Sequence, residues 1–420
     1  MERVLALVLA GGGGEALSVL TAERAVSAVP FGGKYRVVDF VLSNCCHSEI
    51  TRVGILTQHA PTSLHDHIGA GRPWDLDRRS GGVRLFQPYL TRSAAGWYRG
   101  TADAIAHNWD AIEELAPERI LVLSGDSVYR LDYRHLVLTH GQRQSRATIA
   151  VARVPAEQSR RFGMVTVDGS GRVIRFAEKP ERADTPFASM GVYLFDTPFL
   201  GERLRSRPVD LALDVVQPMV EAGEAVFAHE FGGYWDDVGS VGAYYRANVE
   251  LLQRTPRLVL HDPRWPVLTR DEERPPARFL EGASVEHSLI ANGCRVAGTV
   301  RRSILFPGVA VEAGAEVRDA IVMQDSVVAR GARVDHAILD KHVRLGEGVA
   351  IGRGEAPRDA ASAWLEGVTL IGKDAEIPAG TRIGRGVVVG VGAQARDFDG
   401  GEIEAGRVVG GRPWYQDVVV

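Results

Sequence analysis

The sequence predicts a layered α/β domain followed by a C-terminal left-handed parallel β-helix. From residue 1 to about 245, short apolar strands alternate with helical stretches, which is typical of an α/β fold with a largely parallel sheet. After residue 280 apolar residues recur every six positions, as in Ile371, Ile377, Ile383 and Val389, and this step is typical of hexapeptide rungs. A stretch with five prolines, TPRLVLHDPRWPVLTRDEERPPARF, separates the two patterns. We therefore expect an α/β domain over 1–250, a linker over 251–280 and a β-helix over 281–420.

Each predicted element of the first domain is a short segment. The strand candidates are Val4–Ala10, Arg52–Leu56, Ile120–Leu123, Thr148–Arg153 and Val192–Phe195. The segment Asp103–Leu115 has apolar residues at helical spacing and predicts a helix. In sheets of this kind ligands bind beyond the carboxyl ends of the strands. The turns Gly11–Gly14 and Gly125–Asp126 directly follow strands and are the expected site-forming turns.

The glycine turn has the backbone of a phosphate site but none of the usual cations. Four glycines follow the apolar run, and EALSVLTAERAV after them can form a helix. Glycine lets the backbone approach an anion, and a helix N-terminus offers free N–H groups and a positive dipole end. Yet residues 11–22 contain no Lys or Arg, and Glu15 adds a negative charge. A glycine turn without any ligand is the alternative, because a short glycine pattern is a weak signal.

Composition and charge exclude several classes of protein. The formal net charge of −4 over 420 residues gives no indication of a nucleic-acid surface. Three cysteines, Cys45, Cys46 and Cys294, lack metal-site spacing and indicate a reduced, cytoplasmic protein. The apolar run at 4–10 is too short to span a membrane and has no persuasive signal-peptide cleavage pattern.

Strings along nearly the whole chain resemble one enzyme family. In order they are VPFGGKYRVVDFVLSN, WYRGTADAI, LSGDSVYRLDY, FGMVTVD, FAEKP, ASMGVYLFD and YWDDVGSVGAYYRAN. Together with SVEHSLIANGCRVAGTVRRSILFPGV and HAILDKHVRLGEGV, they resemble the ADP-glucose pyrophosphorylases (glucose-1-phosphate adenylyltransferases). The resemblance implies a Rossmann-like nucleotidyltransferase domain and a β-helix without catalytic residues.

The resemblance also implies a reaction and its partners. In the family the phosphate of glucose 1-phosphate attacks the α-phosphorus of ATP, so that ADP-glucose forms and pyrophosphate leaves, in glycogen and starch biosynthesis. The cofactor is Mg²⁺. Family members are allosteric tetramers, so we expect a homotetramer or a heterotetramer with an intact paralogue, and no nucleic-acid or membrane partner.

Site residues follow from the matching strings. Asp126 and Asp237 are expected to carry Mg²⁺, whereas the adjacent Asp236 is expected to be solvated. Lys179 is expected to pair with the sugar phosphate and, with the two aspartates, to serve catalysis. Glu178 is expected to accept hydrogen bonds from sugar hydroxyls, beside Tyr98, Gly163 and the Ser189–Gly191 wall over the glucose. The expected nucleotide-binding residues are Gly11, Gly12, Gln58 (which reads the base), Gly100, Thr101, Ala102 and Gly125, followed by Asp103. Trp97 is expected to be structural.

The glycine loop departs from the family pattern, Gly-Gly-x-Gly-Thr-Arg-Leu, which usually has Arg at x. Here Gly13 stands at x, Glu15 replaces the Thr and Ala16 replaces the catalytic Arg. In the string RAVSAV, Val26 replaces a family Lys that reaches the phosphates or an activator site, and Ser27 replaces a Pro. The family's Gln-Gln-Arg run is altered at 90–92, and DLALD at 210–214 lacks the usual Phe-Gly.

These losses predict a catalytically weak or regulatory subunit. Removing one preorganised contact to developing charge typically costs about 10²–10³ in rate, and here two cations are missing. An active enzyme with a rearranged triphosphate clamp is the alternative, in which Lys34 or Arg24 substitutes in part. A β-helix acyltransferase with His336 or His342 as base belongs to another class and is disfavoured. A zinc site at His59, His65 and His67 is disfavoured too, because the matching family segment holds no metal.

Overall fold

The computed structural model describes residues 1, 3–90, 96–356, 363–398 and 401–410. The chain forms two compact units. One comprises Met1–Gly12, Val38–Trp235 and Pro263–Leu268, and the other comprises Gly13–Val37, Asp236–Asp262 and Thr269–Val420. The glycine turn and the linker therefore each contribute to both units.

Short strands and helices alternate before the linker, as the sequence predicts. Strands β1–β13 cover Val4–Leu9, Pro30–Phe31, Tyr35–Arg36, Arg52–Leu56, Gly82–Phe86, Arg119–Ser124, Ser127–Tyr129, Ala147–Arg153, Gly163–Val167, Val173–Glu178, Phe187–Asp196, Val226–Phe231 and Trp235–Asp237. Helices α1–α8 cover Val37–His47, Thr62–Ile68, Thr101–His107, Trp109–Glu113, Tyr133–Gln142, Thr197–Leu204, Gln217–Glu221 and Val241–Glu250. Short 3₁₀ helices cover Glu15–Thr21, Val26–Ala28, Arg72–Trp74, Ala156–Arg161, Ala363–Leu365 and Ala395–Asp397, and a π-helix covers Ala212–Val216. Each of the five strand candidates coincides with one of these strands within a few residues.

The first unit is built on one mixed sheet. Its order is β10–β9–β11–β6–β1–β4–β5, and β8 joins β11 to β12. The strands β6, β1, β4 and β5 run parallel, whereas β11 is antiparallel to β6, β8 and β9. A largely parallel sheet thus describes only part of this unit. The parallel part brings the ends of β1, β4 and β6 to one edge, where a ligand site is expected.

Two predicted helices differ from the structure. The segment Asp103–Leu115 forms α3 and α4, which meet at Asn108. The Asn108 amide donates to the Ala104 carbonyl at 2.9 Å and to the Tyr98 hydroxyl at 2.8 Å, so that a side chain competes with the helical hydrogen bonds.

The segment after the four glycines is not an α-helix either. Gly14 has φ 62°, a 3₁₀ helix covers Glu15–Thr21, and Ser18 inside it has φ 53°. Such a short, kinked element lacks the aligned N–H groups of a regular α-helix start. The helix-dipole argument for phosphate binding is therefore lost at this loop.

The second unit contains the parallel β-helix that the six-residue step predicts. Strands β14–β33 cover Arg278–Phe279, Ser284–Glu286, Leu289–Ile290, Arg295–Val296, Thr299–Arg301, Ile304–Leu305, Ala310–Val311, Glu316–Arg318, Ile321–Val322, Val327–Val328, Arg333–Asp335, Ala337–Leu339, Arg344–Leu345, Ala350–Arg353, Thr369–Ile371, Glu376–Ile377, Arg382–Gly384, Val388–Val389, Glu402–Ile403 and Val408–Val409. From β14 to β31 every third strand joins the same sheet, and β32 and β33 then extend the sheets that end in β30 and β31, which gives three faces of parallel strands.

Stacked inward side chains form the β-helix core. Val322, Val328 and Val334 are at most 1% exposed, as their six-residue spacing predicts. The loop expected at Gly354–Leu365 includes 357–362, outside the described residues; β27 ends at Arg353 and β28 begins only at Thr369. Among the described helices, none combines the length and hydropathy needed to cross a lipid bilayer.

Candidate active site

Backbone hydrogen bonds bring three strand ends together in the first unit. The amide of Ala10 donates to Leu56 O at 2.9 Å, and the amide of Gly125 donates to Leu9 O at 3.0 Å. Gly11 lies against Gln58: a Cβ on Gly11 would be 3.3 Å from the Gln58 Cβ. The predicted nucleotide-binding residues Gly11, Gln58 and Gly125 thus share one edge. Gly12 adjoins them, and a Cβ there would meet nothing within 4 Å.

Gln58 holds the segment that contains Tyr98. Its amide nitrogen donates to Tyr98 O at 3.2 Å, and its amide oxygen accepts from the Tyr98 backbone N–H. Both ends of the amide are therefore engaged within the protein. That geometry fixes the Tyr98 backbone, and a base-reading role for Gln58 stays a prediction.

Helix α3 begins against a turn of the same unit. The amides of Ala102 and Asp103 both donate to Val209 O, at 2.9 and 3.2 Å. A Cβ on Gly100 would lie 2.5 Å from the same oxygen, which explains the glycine. The Thr101 hydroxyl donates to Asp210 Oδ2 at 3.2 Å. These predicted nucleotide-binding residues therefore dock α3 onto the 209–211 turn.

The two aromatic residues of the WYRG string lie in contrasting environments. Tyr98 is 8% exposed, makes an edge-to-face contact with the His107 ring, and its hydroxyl accepts a hydrogen bond from the Asn108 amide. Burial raises its pKa to about 12, so the hydroxyl stays neutral. Trp97, for which the sequence predicts a structural role, is 72% exposed. The altered residues 91 and 92 lie outside the described residues.

Glu178 and Gly163 face each other across a strand pair. They are directly paired in the β9–β10 register, and a Cβ on Gly163 would lie 2.8 Å from Glu178 Oε2. Glycine at 163 therefore leaves room for the carboxylate. Burial raises the pKa of Glu178, while Lys179, with its Nζ 3.7 Å from Glu178 Oε1, lowers it. Lys179 itself is exposed, as a phosphate-binding cation requires.

A bulge in β11 lies between Ser189 and Tyr193, close to Glu178. The register of β11 against β8 shifts between Ser189 and Tyr193, and Gly191 within it has φ 68°. The Ser189 hydroxyl donates to the Tyr193 hydroxyl at 2.9 Å. Burial raises the pKa of Tyr193, and the charges of Glu178 and Asp210 act in the same direction. Tyr193 and Asp210 therefore belong to this polar cluster. The sequence does not predict a site role for either residue, although Tyr193 lies in the string ASMGVYLFD and Asp210 in DLALD.

Asp126 is held by two hydroxyl groups at the end of β6. The Ser124 and Ser127 hydroxyls donate to its Oδ1, at 2.5 and 3.2 Å. Its Oδ2 accepts no hydrogen bond from the described part of the chain, so it can coordinate a cation. Ser124, which the sequence analysis missed, is detectable as the serine two positions before the aspartate.

The predicted metal ligands lie in different units. Asp237 belongs to the second unit, where its Oδ1 accepts from the Gly239 amide at 2.7 Å. Across the described ranges, no three His, Cys, Asp or Glu side chains cluster as a metal cage. Mg²⁺ commonly binds one or two carboxylates, with substrate phosphates and water as its other ligands. The Asp126 carboxylate fits such a site, and a role for Asp237 stays a prediction.

An apolar side chain packs on the glycine loop. Val26 is 6% exposed, and a Cβ on Gly14 would lie 2.1 Å from its Cγ2. The residue that replaces the family Lys thus fills the space against Gly14. The next residue, Glu15, is exposed. Within this unit the loop therefore offers a valine and a carboxylate in place of cations.

The two possible substitute cations have other partners. The Arg24 guanidinium lies 2.8 Å from Asp340 Oδ1, and both side chains are buried. Lys34 Nζ lies 3.3 Å from Asp271 Oδ1. The structure does not support either residue as a replacement phosphate clamp.

The histidines have separate contacts. His67 Nε2 lies 2.6 Å from Asp39 Oδ1 in the core, while His65 Nε2 lies 3.0 Å from the Thr57 hydroxyl. In the β-helix unit, His336 Nδ1 lies 3.1 Å from the Tyr245 hydroxyl, and burial lowers its pKa. His342 is exposed. These contacts favour structural roles for His65, His67 and His336.

Comparison with known proteins gives a consistent picture. The family model described as nucleotidyl transferase matches residues 5–254, and that described as GlmU-like, C-terminal hexapeptide matches residues 275–371. A glucose-1-phosphate adenylyltransferase of Thermomicrobium roseum is 49% identical over 97% of this chain and 98% of its own length. Proteins of the same name from Pseudothermotoga lettingae and Acetivibrio thermocellus are 40% and 39% identical, over 97% and 90% of this chain and 98% and 91% of their own lengths.

Proposed function

The chain belongs to the glucose-1-phosphate adenylyltransferase family, and from this premise we propose that it is a catalytically weak or regulatory subunit that binds glucose 1-phosphate and ADP-glucose or ATP. The packing of Val26 against Gly14 carries this proposal, because an apolar side chain stands where the resemblance implies a Lys that reaches the phosphates or an activator site.

The sugar-phosphate half of the site retains suitable chemistry. Glu178 offers a carboxylate to sugar hydroxyls, Lys179 offers an exposed ammonium to the phosphate, and Ser189 offers a hydroxyl in the β11 bulge. Charge-assisted hydrogen bonds of this kind contribute about 1.5–3 kcal/mol each. We therefore expect sugar-phosphate binding to be preserved.

The half of the site that would transfer the phosphoryl group lacks the positive side chains of the family pattern. The reaction needs positive groups at the transferred phosphoryl and at the leaving pyrophosphate. Mg²⁺, when bound, would neutralise part of that charge, and Asp126 supports a site for it. Glu15 and Ala16 add no positive charge, and Glu15 repels phosphate. Binding therefore persists in this proposal while the rate of transfer falls.

The active-enzyme alternative needs a replacement clamp. Arg24 and Lys34 were its candidates, and both have carboxylate partners. Of the two candidate bases of the acyltransferase alternative, the His336 ring is packed against Tyr245, whereas His342 is exposed. Neither alternative gains an observation that favours it. Tetrameric assembly, allosteric control and a cytoplasmic location stay predictions from the resemblance and the composition.

The test measures turnover and binding of the same preparation. The purified chain receives ATP, glucose 1-phosphate and Mg²⁺, and pyrophosphate release is followed. The Thermomicrobium roseum relative serves as a matched positive control. We expect calorimetry to show that this chain binds glucose 1-phosphate. We expect its turnover to be at least about 100-fold below that of the relative. A turnover equal to that of the relative would contradict the weak-subunit proposal.

A further inference from the structure

A cavity of about 790 Å³ lies between two helical walls of the first unit. One wall is formed by α3 and α4 and the other by α6. Asp110 and Glu113 are three positions apart on α4, and Glu202 and Arg205 are three positions apart at the end of α6, so each pair shares one helix face. The residues expected to bind the sugar phosphate or Mg²⁺ do not line this cavity. It is therefore a separate candidate site.

Part of the cavity wall is apolar. Trp109 packs on Gly201, where a Cβ would lie 2.5 Å from Trp109 Cζ2. Glycine at 201 therefore lets α6 approach the indole closely. Leu204 on the same wall is 4% exposed. The cavity thus offers an apolar surface to the hydrocarbon part of a ligand, and an indole also attracts cations.

The charged groups of the lining are not all paired. Asp103 pairs with Arg99 and Glu118 pairs with Arg3. Arg205 is exposed and forms no ion pair with any residue the structure describes. The same holds for three carboxylates distributed over both walls, Asp110, Glu113 and Glu202. The cavity therefore presents unpaired negative groups together with one unpaired positive group.

A buried hydroxyl in the lining also lacks a partner. Thr197 is the first residue of α6, is 8% exposed, and its Oγ1 forms no hydrogen bond with the described residues. Most buried hydroxyls in proteins are hydrogen-bonded, because an unpartnered polar atom destabilises the fold. A hydroxyl can donate to a carboxylate or accept from an ammonium group. A charged ligand in the cavity can therefore supply the missing partner.

We propose that this cavity binds a free basic α-amino acid, a small zwitterion with a second positive charge on its side chain. Its two cationic groups pair with carboxylates of the two walls, and its α-carboxylate pairs with Arg205, whose planar guanidinium matches a carboxylate. Its methylene groups contact Trp109 and Leu204. The volume lies within the range of about 300–1,000 Å³ typical of small-ligand sites.

A single metal ion fits the lining less well than this extended ligand. Across the described ranges, no three His, Cys, Asp or Glu side chains cluster closely enough to hold one ion. A ligand with charges at both ends reaches carboxylates on separate helices. The site consists only of residues of the first unit, and it does not depend on the function proposed above.

Calorimetry with three matched probes tests the proposal on the full-length chain, without nucleotide, sugar phosphate or Mg²⁺. L-Lysine carries all the charged groups of the proposed ligand. L-Norleucine lacks the side-chain ammonium group, and 1,5-diaminopentane lacks the α-carboxylate. We expect L-lysine to bind at least about tenfold more tightly than either of the other two.

Two variants separate the negative and positive groups of the cavity. In Glu113→Gln/Glu202→Gln the affinity for L-lysine should fall at least about tenfold. The control Glu157→Gln/Glu181→Gln changes two exposed carboxylates elsewhere in the same unit and should change that affinity by less than about threefold. In Arg205→Gln the affinity for L-lysine should fall about tenfold, whereas the affinity for 1,5-diaminopentane should not fall.

A third variant, Thr197→Val, keeps the shape of the side chain and removes its hydroxyl. It should weaken L-lysine binding at least about threefold without lowering the melting temperature, because an unpartnered hydroxyl does not stabilise the fold. Thermal melts also show whether each variant is folded. The proposal would be overturned by undetectable L-lysine binding, by equal affinities for L-lysine and 1,5-diaminopentane, or by an L-lysine affinity unchanged in Glu113→Gln/Glu202→Gln or Thr197→Val. An equal loss in the control would overturn it too.

Discussion

The Arg24 guanidinium and the Asp340 carboxylate form a buried ion pair at 2.8 Å, with side chains 4% and 0% exposed. Asp340 Oδ1 also accepts from the Lys341 amide at 2.8 Å, while its Oδ2 is buried and accepts no hydrogen bond from the described residues. The pair links residues 316 positions apart within the second unit. Its function is thus to attach the segment after the glycine loop to the β-helix.

Removing one partner of this pair should destabilise the second unit strongly. In Asp340→Ala the Arg24 charge stays buried without compensation, and such changes cost about 3–5 kcal/mol. Replacing both partners, in Arg24→Met/Asp340→Leu, should cost less than the single change. Urea unfolding measures both effects. As a control, Arg302→Ala breaks the exposed pair with Asp319 and should cost about 0–1 kcal/mol. Equal costs for Asp340→Ala and Arg302→Ala would contradict the prediction.

Lys341 next to this pair should make stability depend on pH. Burial, together with the charges of Arg36 and Arg24, lowers its pKa from 10.5 to about 7, although the charges of Asp340 and Glu272 act in the opposite direction. Between about pH 7 and 10.5 the unfolded chain holds the proton that the folded chain has lost, so stability rises with pH there. Below pH 7 Lys341 is charged in both the folded and the unfolded state, so the full cost of burying its charge lowers the stability of the folded chain. Lys341→Met should flatten this rise, measured by urea unfolding at several pH values; an unchanged slope would contradict the assignment.

The six-residue pattern allowed the β-helix to be predicted because it is a local signal. Each rung places an apolar residue inward at a fixed step, and Ile371, Ile377, Ile383 and Val389 are at most 3% exposed. The Arg24–Asp340 pair has no such signal, since nothing near either residue indicates a partner so distant in sequence. The same holds for Val26 on Gly14: the sequence shows the missing lysine, but not that the valine packs against the glycine.

Local patterns also failed where side chains override the backbone. Asn108 divides a helically spaced segment because its amide bonds to Tyr98 and Ala104. In the candidate site, the strings located Glu178 and Ser189, but the bulge that joins Ser189 to Tyr193 depends on pairing between strands. Propensity and spacing carry no information on such pairing.

Restoring the missing cations should raise the rate of transfer. In Ala16→Arg/Val26→Lys the loop regains the two positive residues of the family pattern, and we expect kcat for pyrophosphate release to rise at least about tenfold. The control Gln142→Lys/Ser170→Arg adds the same charge at exposed positions elsewhere and should leave kcat unchanged. If neither variant is faster than the wild type, the absent cations are not what limits the reaction.

Glu178 should determine the affinity for glucose 1-phosphate. Glu178→Gln keeps the size of the side chain but removes its charge, and loss of one charge-assisted hydrogen bond weakens binding by about 10–100-fold. Calorimetry measures this without turnover. Glu181→Gln changes an exposed carboxylate three residues away and is the control. Equal affinities of the two variants for glucose 1-phosphate would contradict a role of Glu178 in binding the sugar.

Gly163 should act through the position of Glu178. A methyl group in Gly163→Ala would lie 2.6 Å from Phe176 Cζ and 2.8 Å from Glu178 Oε2, so the carboxylate must move away from the strand pair. We expect the affinity for glucose 1-phosphate to fall about tenfold, with a stability loss of about 1–3 kcal/mol. Gly169→Ala is the matched control, because its methyl group would meet nothing within 4 Å. In the double variant with Glu178→Gln, Gly163→Ala should add little to the loss of affinity, since the displaced carboxylate is already absent. Additive losses in the double variant would show that Gly163 affects the sugar site by another route.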